Sequence, residues 1–187
     1  MDVMKLLEEK GAILNGHFLL SSGLHSKRYI QMAKVLQYPN PASFLGKGLA
    51  EIFKKDKIDI VLSPALGGIT IGYEVARHLN KRAIFSERRD GKMGLFRGFE
   101  IKEKENVLII EDVFTTGKTI KELIELIDNC KANITGIGVV IDRGQRAEGR
   151  GQRAEIRSLI RLNIETYRPE ECPLCKEGIP FIKPGSR

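Results

Sequence analysis

The chain has no tryptophan, three histidines and three cysteines, and aromatics make up only 6% of its 187 residues. It nowhere carries eighteen apolar residues in a row, which excludes an ordinary transmembrane helix. Its first stretch, "MDVMKLLEEKGAILNG", is acidic and amphipathic. It lacks the basic-then-apolar order of a signal peptide, so a cytoplasmic location is expected. The cysteines are Cys130, Cys172 and Cys175. Cys130 falls in a helical pattern and is expected to be buried. The pair in "EECPLCKEG" is a single C-x-x-C, which cannot fill a tetrahedral zinc site alone. It could be an inert reduced pair, a disulfide, or half of a metal site shared between subunits. A redox centre would need a thioredoxin-like context, which is missing. His17, His25 and His78 do not cluster in the sequence, so no metal ligand from the protein is assigned. His25 could touch a base pocket or lie on the surface. There is no internal repeat, low-complexity segment or linker.

What is present is a 42% hydrophobic content, enough for a core, and a net charge of +7 with a pI near 9.4. A chain of this length points to one domain, with room for a small appendage. The basic surplus fits a nucleic-acid binder or a site for a polyanionic small molecule. Six arginines lie between Arg143 and Arg161 against two acids, Glu148 and Glu155. Part of that stretch is expected to face an anion. The 29% charged fraction and low aromatic content are compatible with a hot origin.

Apolar periodicity alternates between helical and strand spacing. "VMKLLEEKGA" reads as a helix stopped by Gly11. "PASFLGKGLAEIFKKD" reads as a second, with Pro39 and Pro41 at its start. "IDIVLSPA", "KRAIFSE", "LFRGFEI", "NVLIIED" and "NITGIGVVIDRG" read as strands, and "EIRSLIRLNIE" is taken as one more. "GGITIGYEVARHLN" and "KTIKELIELIDNCK" read as helices. "NVLIIED" is apolar throughout its first part, as a central strand buried on both faces would be. The β-α-β order predicts an α/β fold, a mostly parallel central sheet flanked by helices. Ligands then bind beyond the carboxyl ends of the strands. Three loops fall there: "SPALGGI" at 63–69, "EDVFTTGKT" at 111–119 and "DRGQR" at 142–146.

The second loop ends in Gly-Lys-Thr, like an ATP-binding loop. The first glycine of that motif should then stand at 112, where this chain has Asp112 preceded by Glu111. Two carboxylates would repel a triphosphate. The glycine and the hydroxyls of Thr115, Thr116 and Thr119, set before the free amides of a helix start, suit one phosphate monoester. A plain helix cap is the bland alternative. The acids argue against it, because paired carboxylates are costly at a sheet mouth unless used. Vicinal ribose hydroxyls would suit them. Phosphate at one end and hydroxyls at the other describe a ribose 5-phosphate.

At this point "VLIIEDVFTTGKT" resembles the phosphoribosyl pyrophosphate (PRPP) motif of the type I phosphoribosyltransferases. "GHFLLSSGLHSKRYIQ" at 16–31 resembles the N-terminal signature of the orotate phosphoribosyltransferases. "SPALGGITIGYEVAR" resembles that family's pyrophosphate loop and following helix, and "ERRDGKMGLFRGFEI" occupies the place of its mobile loop. "CPLCKEGIPFIKPGSR" resembles the tail of a short prokaryotic subgroup. The resemblance spans nearly the whole chain. It implies one domain over 1–187, with a core at about 40–150, a small hood from about 1–35 and 153–187, and a mobile loop at 86–98. It implies transfer of a phosphoribosyl group from PRPP to orotate in pyrimidine synthesis. Magnesium would be held through substrate oxygens and water. A homodimer is implied, with the mobile loop reaching the neighbouring subunit.

Residue roles follow from the same resemblance. Glu111 and Asp112 would bind the ribose, and Val113, Phe114, Thr115, Thr116, Gly117, Lys118 and Thr119 would complete the phosphate side. Lys118 could equally be a helix-surface lysine. Ala65, Leu66, Gly67 and Gly68 would hold the pyrophosphate. Arg88, Arg89 and Lys92 would close over it, and with Asp112 they form the catalytic set. Thr115, Ser21, Tyr29 and Arg143 or Arg146 would contact orotate, an arginine pairing with its carboxylate. Two departures stand out. Ser21 replaces a lysine of longer members, and the segment from Glu87 to Ile101 lacks their histidine. Lys92 is the best remaining proton donor, and the alternative is that it simply neutralises charge. Transfer of a purine base is one alternative. A non-catalytic PRPP sensor is another, opposed by the basic mobile loop and by the lack of a nucleic-acid-binding module.

Overall fold

In a computed structural model, residues 2–20, 22–144 and 154–184 are described. Along the chain run α1 (Val3–Glu9), β1 (Ile13–Leu19), β2 (His25–Ile30), α2 (Ala33–Leu36), α3 (Pro39–Phe53), β3 (Ile60–Pro64), α4 (Gly67–Leu79) and β4 (Arg82–Arg89). They are followed by β5 (Lys92–Leu95), β6 (Asn106–Phe114), α5 (Lys118–Asn129), β7 (Asn133–Asp142), β8 (Ile156–Arg161), a 3-10 turn (Pro169–Glu171) and α6 (Pro173–Lys176). The chain forms two compact units, one from 36–161 and one from 1–35 with 162–187.

The larger unit is built on a six-stranded sheet in the order β5-β4-β3-β6-β7-β8. All neighbouring pairs are parallel except β4 with β5. β6 is central, and its apolar run Val107, Leu108, Ile109 and Ile110 is fully buried. Alternation sorts these side chains between the two faces. Val107 and Ile109 join Ile60, Leu62, Ile137 and Val139 in one core with Ile120, Leu123 and Ile127 of α5. α3 and α4 pack against each other and cover strands of the same sheet. Gly72 brings α4 down onto β3, because a Cβ there would stand 1.7 Å from Ser63 Oγ. β8 lies inside the stretch 153–187 that the resemblance gave to the hood, yet it forms one edge of this sheet.

Two local expectations need correction. The strand foreseen at "LFRGFEI" is shorter and earlier, Lys92–Leu95, with a turn at Arg97 and Gly98. The cause is "RRDGKM". Asp90 and Gly91 take φ of 49° and 77°, the pair of left-handed residues of a two-residue hairpin turn. The strand therefore pairs back onto β4, with Arg89 opposite Lys92. Cys130 is half-buried at the C-cap of α5 rather than enclosed.

In the smaller unit β1 and β2 form an antiparallel hairpin with an irregularity between Asn15 and Phe18. The C-terminal segment joins both strands. Ile182 bridges Phe18, and Tyr167 exchanges backbone hydrogen bonds with His25 at 2.8 and 2.9 Å. Asp2 caps α1 by accepting from Met4 N at 2.7 Å, and Leu6 and Leu7 are the buried side of that helix.

Candidate active site

β3 and β6 are neighbours, but the chain leaves them in opposite directions. α4 leads from β3 to β4 on one side, and α5 leads from β6 to β7 on the other. This is the switch point of the sheet, where two loops diverge and leave a crevice past the strand ends. The loop after β3 carries Ala65, Leu66, Gly67 and Gly68. The end of β6 carries Glu111 and Asp112.

The two loops touch. A Cβ built on Gly67 would stand 2.7 Å from Asp112 Oδ2, so only glycine lets the backbone pass this carboxylate. Gly68 is also confined, its Cβ position lying 2.8 Å from Pro64 Cδ. Ala65 N donates to Ser86 O at 2.8 Å, tying the loop to β4. Leu66 is 79% exposed. Val113 N donates to Asp112 Oδ1 at 2.8 Å, which orients that side chain.

Glu111 and Asp112 reach the cleft surface but are packed by protein on their other sides. Burial pushes the Glu111 carboxyl up to about 8, with the neighbouring Asp112 charge adding to it. Burial also raises Asp112, and the Val113 amide works against the rise. Such elevated acids are a mark of functional sites, because two adjacent carboxylates without a counter-charge are poorly tolerated.

Beyond them the phosphate-type loop takes shape. Gly117 is buried with φ 74° and stands at the N-cap of α5. Thr115 and Thr116 are exposed, Thr119 is half-buried, and Lys118 is exposed on the first turn of α5. The N-cap residue Gly117 has no side chain to cap this helix, and of its leading amides Lys118 N donates to Thr116 Oγ1 at 3.5 Å. Phe114 is different: its ring is 2% exposed and belongs to the core. It can serve the loop only through its backbone, whose carbonyl accepts from Arg143 N at 2.9 Å. That bond seats Arg143 beside the phosphate-type loop.

The hairpin of β4 and β5 bears the basic cluster. Arg88 makes a two-pronged pair with Glu122 of α5, with Nη1 to Oε1 at 2.9 Å and Nη2 on Oε2. Each partner moves the other: Glu122 holds the Arg88 guanidinium raised, and Arg88 holds the Glu122 carboxyl below its ordinary range. Arg89 lies over the Phe96 ring at 3.9 Å. Lys92 begins β5 and is exposed. Arg88 is thus turned onto a helix rather than over the crevice.

Ser21 and Arg146 lie outside the described residues. Tyr29 belongs to the smaller unit, half-buried on β2 with its ring 5.8 Å from that of Phe18. Sequence reasoning missed two things. Glu122 is one surface acid among many on an amphipathic helix, and nothing marks it as the partner of Arg88. The histidines, separate in the sequence, do not stay apart: His17 and His25 meet Cys172 and Cys175 in the smaller unit.

Residues 35–154 match the phosphoribosyl transferase domain family. The chain is 53% identical over 184 residues to an orotate phosphoribosyltransferase of Caldicellulosiruptor saccharolyticus, covering 98% of this chain and 95% of that protein. It is 50% identical over 187 residues to one from Thermoanaerobacter sp., covering 100% and 97%. Among solved structures it resembles the orotate phosphoribosyltransferase of Aeropyrum pernix, with a TM-score of 0.73, 27% identity, and 86% and 93% of the two chains covered.

Proposed function

The chain belongs to the phosphoribosyl transferase domain family and, within it, to the orotate phosphoribosyltransferases, and from that premise we propose how its residues carry the transfer. The reaction joins a ring nitrogen of orotate to the anomeric carbon of PRPP and releases pyrophosphate, giving orotidine 5′-phosphate for pyrimidine synthesis. One observation carries the assignment of roles: the approach of Gly67 to Asp112 unites the loops at 63–69 and 111–119 into one crevice.

In this reading the 5′-phosphate sits on the amides and hydroxyls from Thr115 to Thr119 at the positive end of α5. Glu111 and Asp112 accept hydrogen bonds from the ribose hydroxyls. As carboxylates they also favour the positive charge that grows on the ribose as the leaving group departs. Backbone amides of Ala65 to Gly68 face the pyrophosphate. Arg88, Arg89 and Lys92 approach it when the hairpin swings from its resting contact with Glu122, and closure keeps water from the reacting carbon. Lys92, exposed on β5, is the proposed proton donor to the leaving group. Arg143, held beside Phe114, is the described candidate for the orotate carboxylate, with Thr115 next to it.

Magnesium suits this donor set, since carboxylate oxygens flank the place for a polyphosphate and the ion prefers oxygen. When bound it would neutralise charge on the pyrophosphate. Glu111 and Asp112 would be its protein-side neighbours, most contacts coming from substrate and water. No helix among the described residues is long and apolar enough to cross a membrane. Three free cysteines fit the reducing cytoplasm proposed here. A homodimer is part of the proposal, and Tyr73 at 61% and Leu66 at 79% exposure offer apolar surface for it. Light scattering of the purified protein tests that mass.

The test of function is loss of orotate absorbance on mixing protein, PRPP and magnesium, with adenine, hypoxanthine and guanine in parallel. Orotate alone should be consumed, and Asp112→Asn or Lys92→Ala should slow it by about 100-fold or more. Consumption of a purine, or binding of PRPP without turnover, would sink the reading.

A further inference from the structure

Four metal-ligating side chains from distant parts of the sequence converge in the smaller unit. They are His17 on β1, His25 on β2, Cys172 at the N-cap of α6 and Cys175 within α6, and their donor atoms lie within 4.8 Å of one another. The β1–β2 register explains half of this. Leu19 pairs with His25, so His17, two residues earlier on the same face, is a diagonal neighbour of His25. The C-x-x-C turn is brought over them by the backbone bridges of Tyr167 and Ile182.

The geometry is that of a ligand set. His17 Nδ1 donates to Ile179 O at 2.7 Å, the only role open to it against a carbonyl. That bond fixes the tautomer and turns the Nε2 lone pair inward, as the outer hydrogen bond of a metal-bound histidine does. Nε2 is then 2.7 Å from His25 Nδ1, 3.5 Å from Cys172 Sγ and 3.7 Å from Cys175 Sγ. Cys175 Sγ is 3.2 Å from His25 Nδ1. Zinc bonds of about 2.0–2.1 Å to nitrogen and about 2.3 Å to sulfur give tetrahedron edges of about 3.3–3.8 Å. Three nitrogen–sulfur spacings, 3.5, 3.7 and 3.2 Å, already fall close to this. The two imidazoles would part by about 0.6 Å, and the remaining pairs, which lie within 4.8 Å, would close by about 1 Å or less.

Burial strengthens the case. His17 and His25 are 3% and 4% exposed and Cys172 is fully enclosed. Phe181 packs near both imidazoles, with ring centroids 5.9 and 5.3 Å away. Two imidazoles and a thiol in such a place need strong partners. Cys175 is exposed and leaves a route for entry.

We propose that His17, His25, Cys172 and Cys175 bind one zinc ion in a closed tetrahedral site that fastens the C-terminal tail to the N-terminal hairpin. Two sulfur and two nitrogen donors select zinc over magnesium or calcium. With four protein ligands no position is left for a substrate, so the site is structural. A unit assembled from two short chain ends has little core, and a metal staple compensates for that. The inference rests on the smaller unit alone and stands whether or not the residue roles assigned to the crevice hold.

The experiment uses the full chain, expressed with zinc in the medium and purified without chelator. Elemental analysis should find about one zinc per chain. Cys172→Ser and Cys175→Ser should each lower it at least about tenfold, while Cys130→Ser leaves it unchanged. Cobalt added to metal-stripped wild-type protein should give the intense visible bands of tetrahedral coordination with thiolate charge transfer. That spectrum decides the matter even where a variant does not fold. Wild-type protein with less than about a tenth of an equivalent of zinc, and with a featureless cobalt spectrum, overturns the proposal. So does a Cys172–Cys175 disulfide in the intact mass, or iron or copper in place of zinc.

Discussion

Gly67 and Asp112 are forty-five positions apart, yet a methyl group on one would collide with the carboxylate of the other at 2.7 Å. Gly67→Ala should therefore shift Asp112 while leaving β3 and β6 intact. A displacement near 1 Å at reacting groups can cost about 100-fold. A drop of that order in kcat/KM, with unchanged circular dichroism, is the expected outcome. Glu111 adds a pH signature. Its carboxyl rises from 4.5 to about 8 in the folded chain. A raised acid binds more protons folded than unfolded, so its contribution to stability is full below 4.5 and fades as pH climbs through about 8. Substrate that favours the carboxylate should then expel a proton. Calorimetry at pH 7 in buffers of different ionisation enthalpy should detect proton release on binding PRPP with magnesium, and Glu111→Gln should remove most of it. Equal heats in all buffers would contradict this. The acids and the phosphate-type loop could be read from the sequence because they are consecutive. The approach of Gly67 could not, because it depends on β3 lying next to β6.

The hairpin of β4 and β5 belongs to the next scale. Its turn is written in Asp90-Gly91, whose left-handed φ values close a two-residue loop. The turn pins the register that sets Arg88 opposite Met93 and Arg89 opposite Lys92. Arg88 then finds Glu122 on α5, an ion pair open to solvent on both sides. Such pairs add about 1 kcal/mol or less to stability. Their interest is competition, since Arg88 cannot hold Glu122 and a pyrophosphate together. Glu122→Gln should change the melting temperature little and lower the KM for PRPP a few-fold, about 1 kcal/mol of released binding. Arg88→Ala should cut kcat/KM by about 100-fold. Steady-state kinetics on both variants tests this, and a raised KM in Glu122→Gln would speak against a resting latch.

For the molecule as a whole, charge is the quantity that reaches furthest. The chain carries +7, and both proposed substrates are anions. Encounter should be steered, and the screening length falls from about 10 Å at 0.1 M salt to about 3 Å at 1 M. kcat/KM should fall several-fold across that range while kcat at saturation changes less. A salt-independent kcat/KM would show that the surplus charge lies away from the crevice.

The sequence by itself determined the alternation of strands and helices, because burial on both faces of β6 demands the run Val107–Ile110 and one-sided burial of α5 demands its amphipathic spacing. It also determined the membership, because the motif residues stand side by side. Tertiary structure decided what joins residues far apart in the chain: Gly67 against Asp112, Arg88 on Glu122, and the meeting of His17 and His25 with Cys172 and Cys175. The physical reason is the same in each case. Local periodicity reports which side of an element is buried, whereas these contacts follow from strand order, register and chain ends that no local pattern encodes.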